Sequence, residues 1–225
     1  MLRLTTLATG LLLSASAFAL SLADLTQSDA SGGLKDALSQ GAQIAVKQLG
    51  KPGGFSDNDQ VRIELPGKLG KAAQTMKMMG MGAQVEELES SMNRAAEAAV
   101  PQAQAILLDA VKKMTVSDAK AILAGGDDSA TQYLNKSSRE QIRARFLPIV
   151  KQATDKVGLA QQYNAFAGQA AAFGVVEAKH AKVESYVTEK ALDGLFKMIA
   201  AQEASIRQNP AGAATSLAKK VFGAL

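Results

Sequence analysis

Apolar side chains recur along most of this chain three and four residues apart, the spacing of one helix face, and few windows alternate as strands do. Leu34, Leu38, Ala42, Ala45 and Leu49 mark a first helix, which Gly50 ends. The stretch from Lys51 to Asp59, with Pro52, Gly53 and Gly54, is the most loop-like in the chain. Val61 to Leu65 alternates and predicts a short extended segment, and Pro66 suits the first turn of a helix reaching about Met79. Gly80-Met81-Gly82 then breaks the chain. Val85, Leu88, Met92, Ala95 and Ala99 form the next face, and Pro101 predicts a kink or a restart. Ile106, Leu107, Ala110, Val111 and Met114 continue an apolar face, and Thr115 with Asp118 resembles a capping box for a short helix to Ala124, closed by Gly125-Gly126. Asp127 or Asp128 is placed to cap a short helix through Leu134, and Ser137 or Ser138 to cap another that carries Ile142, Phe146, Ile149, Ala153 and Val157, bends at Pro148 and closes at Gly158. Leu159 to about Ala181 reads as helix interrupted by Gly168 and Gly174. Val183 to Gln208 reads as a long amphipathic helix, and Asn209-Pro210 as the cap and first turn of a last one ending near Phe222. Short connections between so many helices predict an all-α fold, an irregular multi-helix bundle of about nine or ten helices.

The N-terminus changes this picture. Arg3 supplies a positive start, Leu7 to Leu13 a short apolar run, and Ala17-Phe18-Ala19 small residues where a signal peptidase reads, so residues 1–19 are expected to be a secretory signal peptide cleaved after Ala19. The apolar run is shorter than the roughly 20 residues a spanning helix needs. The expected organisation is a signal peptide over 1–19, a flexible segment over 20–33 and one helical domain over 34–225. The expected location is the periplasm, with the chain released rather than held by an anchor. About 206 residues then remain, enough for a real core.

Composition narrows the chemistry. There is no cysteine, so disulfides, thiol catalysis and thiolate metal sites are excluded. Seven Phe, three Tyr and no Trp, in an alanine-rich chain, point to helices packed closely through small side chains. The net charge of +4 falls to about +3 without Arg3, and Lys and Arg are spread singly, which argues against a nucleic-acid partner.

Four segments carry a resemblance. They are Gln48-Leu49-Gly50 with the Gly-Phe loop after it, Ser91 to Glu97 (SMNRAAE), Ala121 to Tyr133 (AILAGGDDSATQY), and Tyr186 to Phe196 (YVTEKALDGLF). In order and spacing the chain resembles the bacterial domain-of-unknown-function 4197 family from about Leu34 to Phe222. The resemblance implies an exported or lipid-anchored helical protein of Gram-negative bacteria with no established activity. The chain lacks the lipid-anchor cysteine, which implies the soluble type.

Candidate sites are few. His180 is the only histidine, which leaves neither a histidine zinc site nor a Ser-His-Asp triad, and it reads as a helix residue beside Lys179 and Lys182. No P-loop, Gly-x-Ser-x-Gly elbow or complete dinucleotide fingerprint occurs. Met76, Met78, Met79 and Met81 suit Cu(I) in ligand type, but a helix separates Met76 from Met78 by about 200°; the competing reading is a flexible apolar helix end packed into the core or against a partner. Asp127 and Asp128 do not fit a calcium loop and read as caps. No metal and no cofactor is expected. Asn93, Arg94 and Glu97 within one helical turn, and Lys190 with Asp193, read either as solvated ion pairs or as an inward polar network that fixes helix register and lines a pocket. With Asp127, Asp128 and Tyr133 these are the candidate binding residues. The functional expectation is a non-enzymatic exported module that binds an apolar small molecule or a cell-envelope partner. Its rival is a hydrolase-type enzyme with a carboxylate site built from Glu97, Asp127, Asp128 and Asp193 with Tyr133 or Lys190, which requires those groups to converge in one pocket.

Overall fold

A computed structural model of the chain describes residues 21–115, 117, 119–156, 158–172 and 183–225, with side chains except at 68, 81, 164 and 167–172. The expected signal peptide with its Ala19 cleavage site, the Asp118 half of the capping box, Gly174 and His180 lie outside the described residues. Among the described residues the protein is all helical, with nine α-helices and no strand: α1 Gln27–Leu49, α2 Gly67–Met76, α3 Gly82–Ala99, α4 Ala103–Lys113, α5 Ala119–Leu123, α6 Ser129–Lys156, α7 Leu159–Ala172, α8 Val183–Gln208 and α9 Ser216–Phe222.

Helix α8 is the spine. It packs along both α1 and α6, which scarcely touch each other, while α1 also carries α9, α4 and α5, and α6 carries α3 and α4. The stripe that makes this possible on α8 is Val183, Val187, Ala191, Leu192, Leu195, Ile199 and Ile206, all buried. On α1, Ala30, Leu34, Ala37, Leu38, Ala42, Ala45 and Leu49 are buried in the same core. The alanines and glycines between the larger residues let the axes approach. A Cβ added at Gly41 would lie 3.4 Å from Ile199, and one at Gly33 only 2.6 Å from Val221.

Several boundaries differ from the expected ones, each for a local reason. Helix α1 begins at Gln27, where Thr26 caps it by accepting the Asp29 N–H at 3.0 Å. Residues 27–33 of the segment expected to be flexible are therefore helical. The two helices expected over 127–134 and 137–157 are one. Ser137 and Ser138 do not cap; their hydroxyls donate back to Tyr133 and Leu134 carbonyls inside the continuous α6, where Pro148 sits on the exposed side. At Pro101 the chain restarts, as a short tight turn over Val100–Gln102 between α3 and α4. Asn209 makes no side-chain cap. Pro210–Gly212 forms a separate turn, and the last helix starts six residues later at Ser216, where Thr215 accepts the Ala218 N–H. Val61 to Leu65 has the predicted alternation, with Val61, Ile63 and Leu65 buried and Arg62 and Glu64 exposed. It pairs with no strand, and its backbone is served by a side chain instead.

Candidate functional site

That side chain is Asn93. Its Oδ1 accepts the Ile63 N–H at 2.8 Å, and its Nδ2 donates to the Ile63 carbonyl at 2.8 Å and to the Glu89 carbonyl one turn back at 2.7 Å. One amide thus does for Ile63 what a neighbouring strand would do. One turn further along α3, Glu97 Oε1 accepts the N–H groups of Phe55 and Ser56 and the Ser56 hydroxyl, at 2.9–3.0 Å. One turn the other way, Glu89 stands 3.5 Å from both Arg62 and Lys77. Glu89, Asn93 and Glu97 are four residues apart, so they form a buried polar rail on α3 that holds the whole 55–63 loop down. The loop's apolar anchor is Phe55, fully buried, with its ring seated where a Cβ at position 194 would be, 2.9 Å away. Of the expected cluster, Asn93 and Glu97 turn inward to this rail. Arg94 is exposed and donates to Ser91 Oγ at 3.1 Å.

The N-terminus of α6 was expected to be capped by Asp127 or Asp128. It is capped from another helix. Glu203 on α8 accepts the Ala130 N–H at 3.0 Å, the Thr131 N–H at 2.8 Å and the Thr131 hydroxyl at 2.7 Å. A carboxylate there answers both the orphan donors and the positive end of a long helix. Arg207, one turn on, pairs with Glu203 at 2.8 Å and donates to the Leu123 carbonyl at 2.7 Å, closing the C-terminal end of α5, while its guanidinium lies over the Phe222 ring of α9. This pair, almost wholly buried, ties α5, α6, α8 and α9 at one point. Asp127 is exposed, and Asp128 accepts from the Gln132 side chain.

The remaining candidates fall in more than one place. Asp193 accepts from Arg139 at 2.7 Å, while Lys190 stands 4.0 Å from Asp193 and lies over the Tyr186 ring. Arg139 also reaches Glu189 at 2.8 Å, and Arg143 donates to the same carboxylate. Burial works to raise the Glu189 pKa, but the two arginines outweigh it and hold the carboxyl below its ordinary value. Burial, with smaller contributions from Tyr163 and Glu64, pushes Tyr186 up to about 12, and its hydroxyl donates to the Glu64 carbonyl. Asp128, Asp193 and Arg139 line one shallow hollow between α6 and α8. Tyr133 lines another, of about 360 Å³, between α4 and α6, and its hydroxyl donates to the Thr115 carbonyl. Glu97 lines neither hollow; it is committed to the loop. Among the described residues no group of three or more His, Asp or Glu is placed to hold a metal.

Sequence reasoning missed Glu203, Arg207 and Glu89. The signal for Glu203 was present: it follows Ile199 by four and precedes Ile206 by three, a charged residue inside an apolar stripe, with Arg207 one turn on. The methionine segment resolves into two environments. Met76 is buried at 3% exposure, whereas Met78 and Met79 are 81% and 58% exposed, so these three sulfurs do not converge; the Met81 side chain lies outside the description. Met78 and Met79 sit in a widened five-residue turn, Lys77–Met81, in which Gly80 takes φ +82° and breaks the line from α2 to α3. That conformation is open to glycine at little cost.

No helix among the described residues is long and apolar enough to cross a membrane. No curated protein and no solved structure matches the chain. The family described as protein of unknown function (DUF4197) matches residues 24–223, from the turn before α1 to the end of α9, with the rail, the Glu203–Arg207 tie and the methionine turn all inside it. The chain belongs to that family.

Proposed function

We propose that this protein is an exported, non-enzymatic interaction module that docks a cell-envelope protein through the methionine turn between α2 and α3. The carrying observation is where its apolar surface is. Of the large apolar side chains among the described residues, the exposed ones are Met78, Met79 and the final residue, Leu225. Two adjacent unbranched thioethers on a glycine-kinked turn suit a partner surface whose shape they must follow. Export is supported by the charge, apolar run and Ala17-Phe18-Ala19 of the first 19 residues. A non-catalytic role is supported by the separation of Glu97 and Tyr133 from the hollow that Asp128 and Asp193 share, and by the use of the buried carboxylates Glu97 and Glu203 in holding backbone. A protein partner is favoured over an apolar small molecule because the hollows are lined by charged and amide groups along with their apolar atoms, such as Asp109, Lys113, Gln141 and Arg145 in the one beside Tyr133.

The test is site-specific photo-crosslinking in the native cell. A photoreactive residue at position 78 or 79 is expected to give one discrete adduct with an envelope protein, and the same residue at exposed Lys219 to give none. Equal adducts from both positions would overturn the docking reading. Fractionation that leaves the chain uncleaved in the cytoplasm would overturn export.

A further inference from the structure

We infer that Met78 and Met79 form a reversible methionine-sulfoxide site, open to hydroperoxide-type oxidants in the folded protein and built so that its oxidation does not disturb the core. The inference stands on exposure and backbone geometry and does not depend on the docking reading.

The six methionines whose side chains are described fall into a graded series. Met78 and Met79 stand in solvent, Met198 is partly covered, and Met76, Met92 and Met114 are buried at 3%, 0% and 6% exposure. Thioether oxidation needs direct approach of the oxidant to sulfur, so this series is also an order of reactivity. The sulfur lone pair attacks one oxygen of the hydroperoxide. The O–O bond breaks as the S–O bond forms, sulfur gives up two electrons, and the departing oxygen takes a proton and leaves as water or an alcohol.

The consequences differ sharply between neighbours in the chain. A sulfoxide at Met76 or Met92 would bring a strong dipole into the apolar core that also holds Ala72, Ala73, Val85 and Leu88, where a polar group without a partner is heavily penalised. A sulfoxide at Met78 or Met79 is hydrated as it forms, and no helix has to open to accept it. Helical rotation of about 200° turns Met78 away from the side on which α2 carries Met76 into the core, and Met79 stands exposed in the widened turn just before the break at Gly80. Oxidation therefore acts on the main exposed apolar feature of the molecule and leaves the packed part alone.

The experiment is a time course of the full chain in dilute hydrogen peroxide, read by peptide mapping. Trypsin cleaves after Lys77, which puts Met76 on a different peptide from Met78 and Met79, while Met92 shares theirs and serves as an internal standard. Met78 and Met79 are expected to convert on the order of tenfold faster than Met76 and Met92, with Met198 between. At full conversion of the pair, the unfolding temperature is expected to be unchanged and the protein to elute earlier from a hydrophobic-interaction column. Peptide methionine sulfoxide reductases should restore both thioethers and the original elution. In the Met78→Leu/Met79→Leu variant, read against Met92 with Met81 resolved apart from them by fragment ions, the fast phase should vanish. Comparable rates at Met76 and Met78, unfolding in step with conversion of the pair, unchanged elution, resistance of the folded sulfoxides to reductase, or a fast phase surviving in the double variant would each overturn the inference.

Discussion

One oxygen atom, Glu97 Oε1, receives two backbone N–H groups and a hydroxyl from the loop. Removing it takes the acceptor from the buried Phe55 N–H and from the part-buried Ser56 N–H and hydroxyl. Glu97→Ala is therefore expected to lose about 3 kcal/mol, the sum of an unmade charge-assisted set and the desolvation of the Phe55 N–H. Asn93→Asp is expected to be nearly as damaging although it is almost isosteric: the Ile63 N–H keeps an acceptor, but two carbonyls that received Nδ2 then face a carboxylate. Both variants should leave the helices closed and release the loop, which amide hydrogen exchange at Phe55, Ser56 and Ile63 would show. Protection unchanged at these three amides would refute the rail. At this scale the sequence was informative about position and silent about partner. Asn93 and Glu97 lie beside the stripe of Val85, Leu88 and Met92, and their spacing puts them on one edge of it. Their partners are 30 to 42 residues back in a loop whose path no periodicity describes.

A helix end is a shared object in this fold. The end of α5, the start of α6 and the side of α9 are all held by two residues of α8. Arg207→Met would keep most of the volume and leave Glu203 buried without its counter-charge. The expected loss is about 3–5 kcal/mol in urea unfolding, and Glu203→Gln added to it is expected to recover part of that loss, because a neutral amide needs no counter-ion. Additive losses in the double variant would contradict that coupling. The looser lattice of Arg139, Arg143, Glu189 and Asp193 joins α6 to α8 in a different way, through solvent-facing charge. Because the folded Glu189 pKa lies below its ordinary value of 4.5, its contribution is complete above about that pH and fades as pH falls through the lower folded value. Glu189→Gln is thus expected to flatten the acid limb of a stability profile and leave the neutral-to-alkaline part parallel; an unchanged acid limb would show that the pair contributes nothing. Helix identity was largely legible because stripes such as Val183 to Ile206 are long. Caps were not. Ser137, Ser138, Asp128 and Asn209 all have cap chemistry, yet α6 is capped by Glu203 from α8, which leaves no trace beside the α6 N-terminus, and α9 is capped by Thr215, six residues past Asn209.

At the scale of the molecule, close approach is what converts the nine helices of the described residues into one core. α8 meets α1 through Gly41, and α1 meets α9 through Gly32 and Gly33. The two contacts differ in tolerance. At Gly41 a methyl group would reach ordinary van der Waals distance, 3.4 Å, from Ile199 and Gln202. Gly41→Ala is expected to be near neutral or slightly stabilising, since alanine is the better helix former by up to about 1 kcal/mol. At Gly33 the same methyl would stand 2.6 Å from Val221 Cγ2, 2.7 Å from Val221 Cβ and 3.2 Å from the Leu217 carbonyl oxygen. Two of these atoms belong to or adjoin the α9 backbone, so rotating a side chain does not relieve the clash and the helix itself must move. Gly33→Ala is expected to lose about 1–3 kcal/mol. The loss has an address. α9 is a seven-residue helix held chiefly by α1, and Phe222 on it covers Arg207. Lifting α9 therefore opens the tie at α8 from outside, and exchange protection should fall first over 216–222 and next at the Ala130 and Thr131 amides, with the 55–63 loop untouched. Uniform loss across all three regions would mean that the bundle unfolds as a single unit and that α9 has no separate part in guarding the Glu203–Arg207 pair.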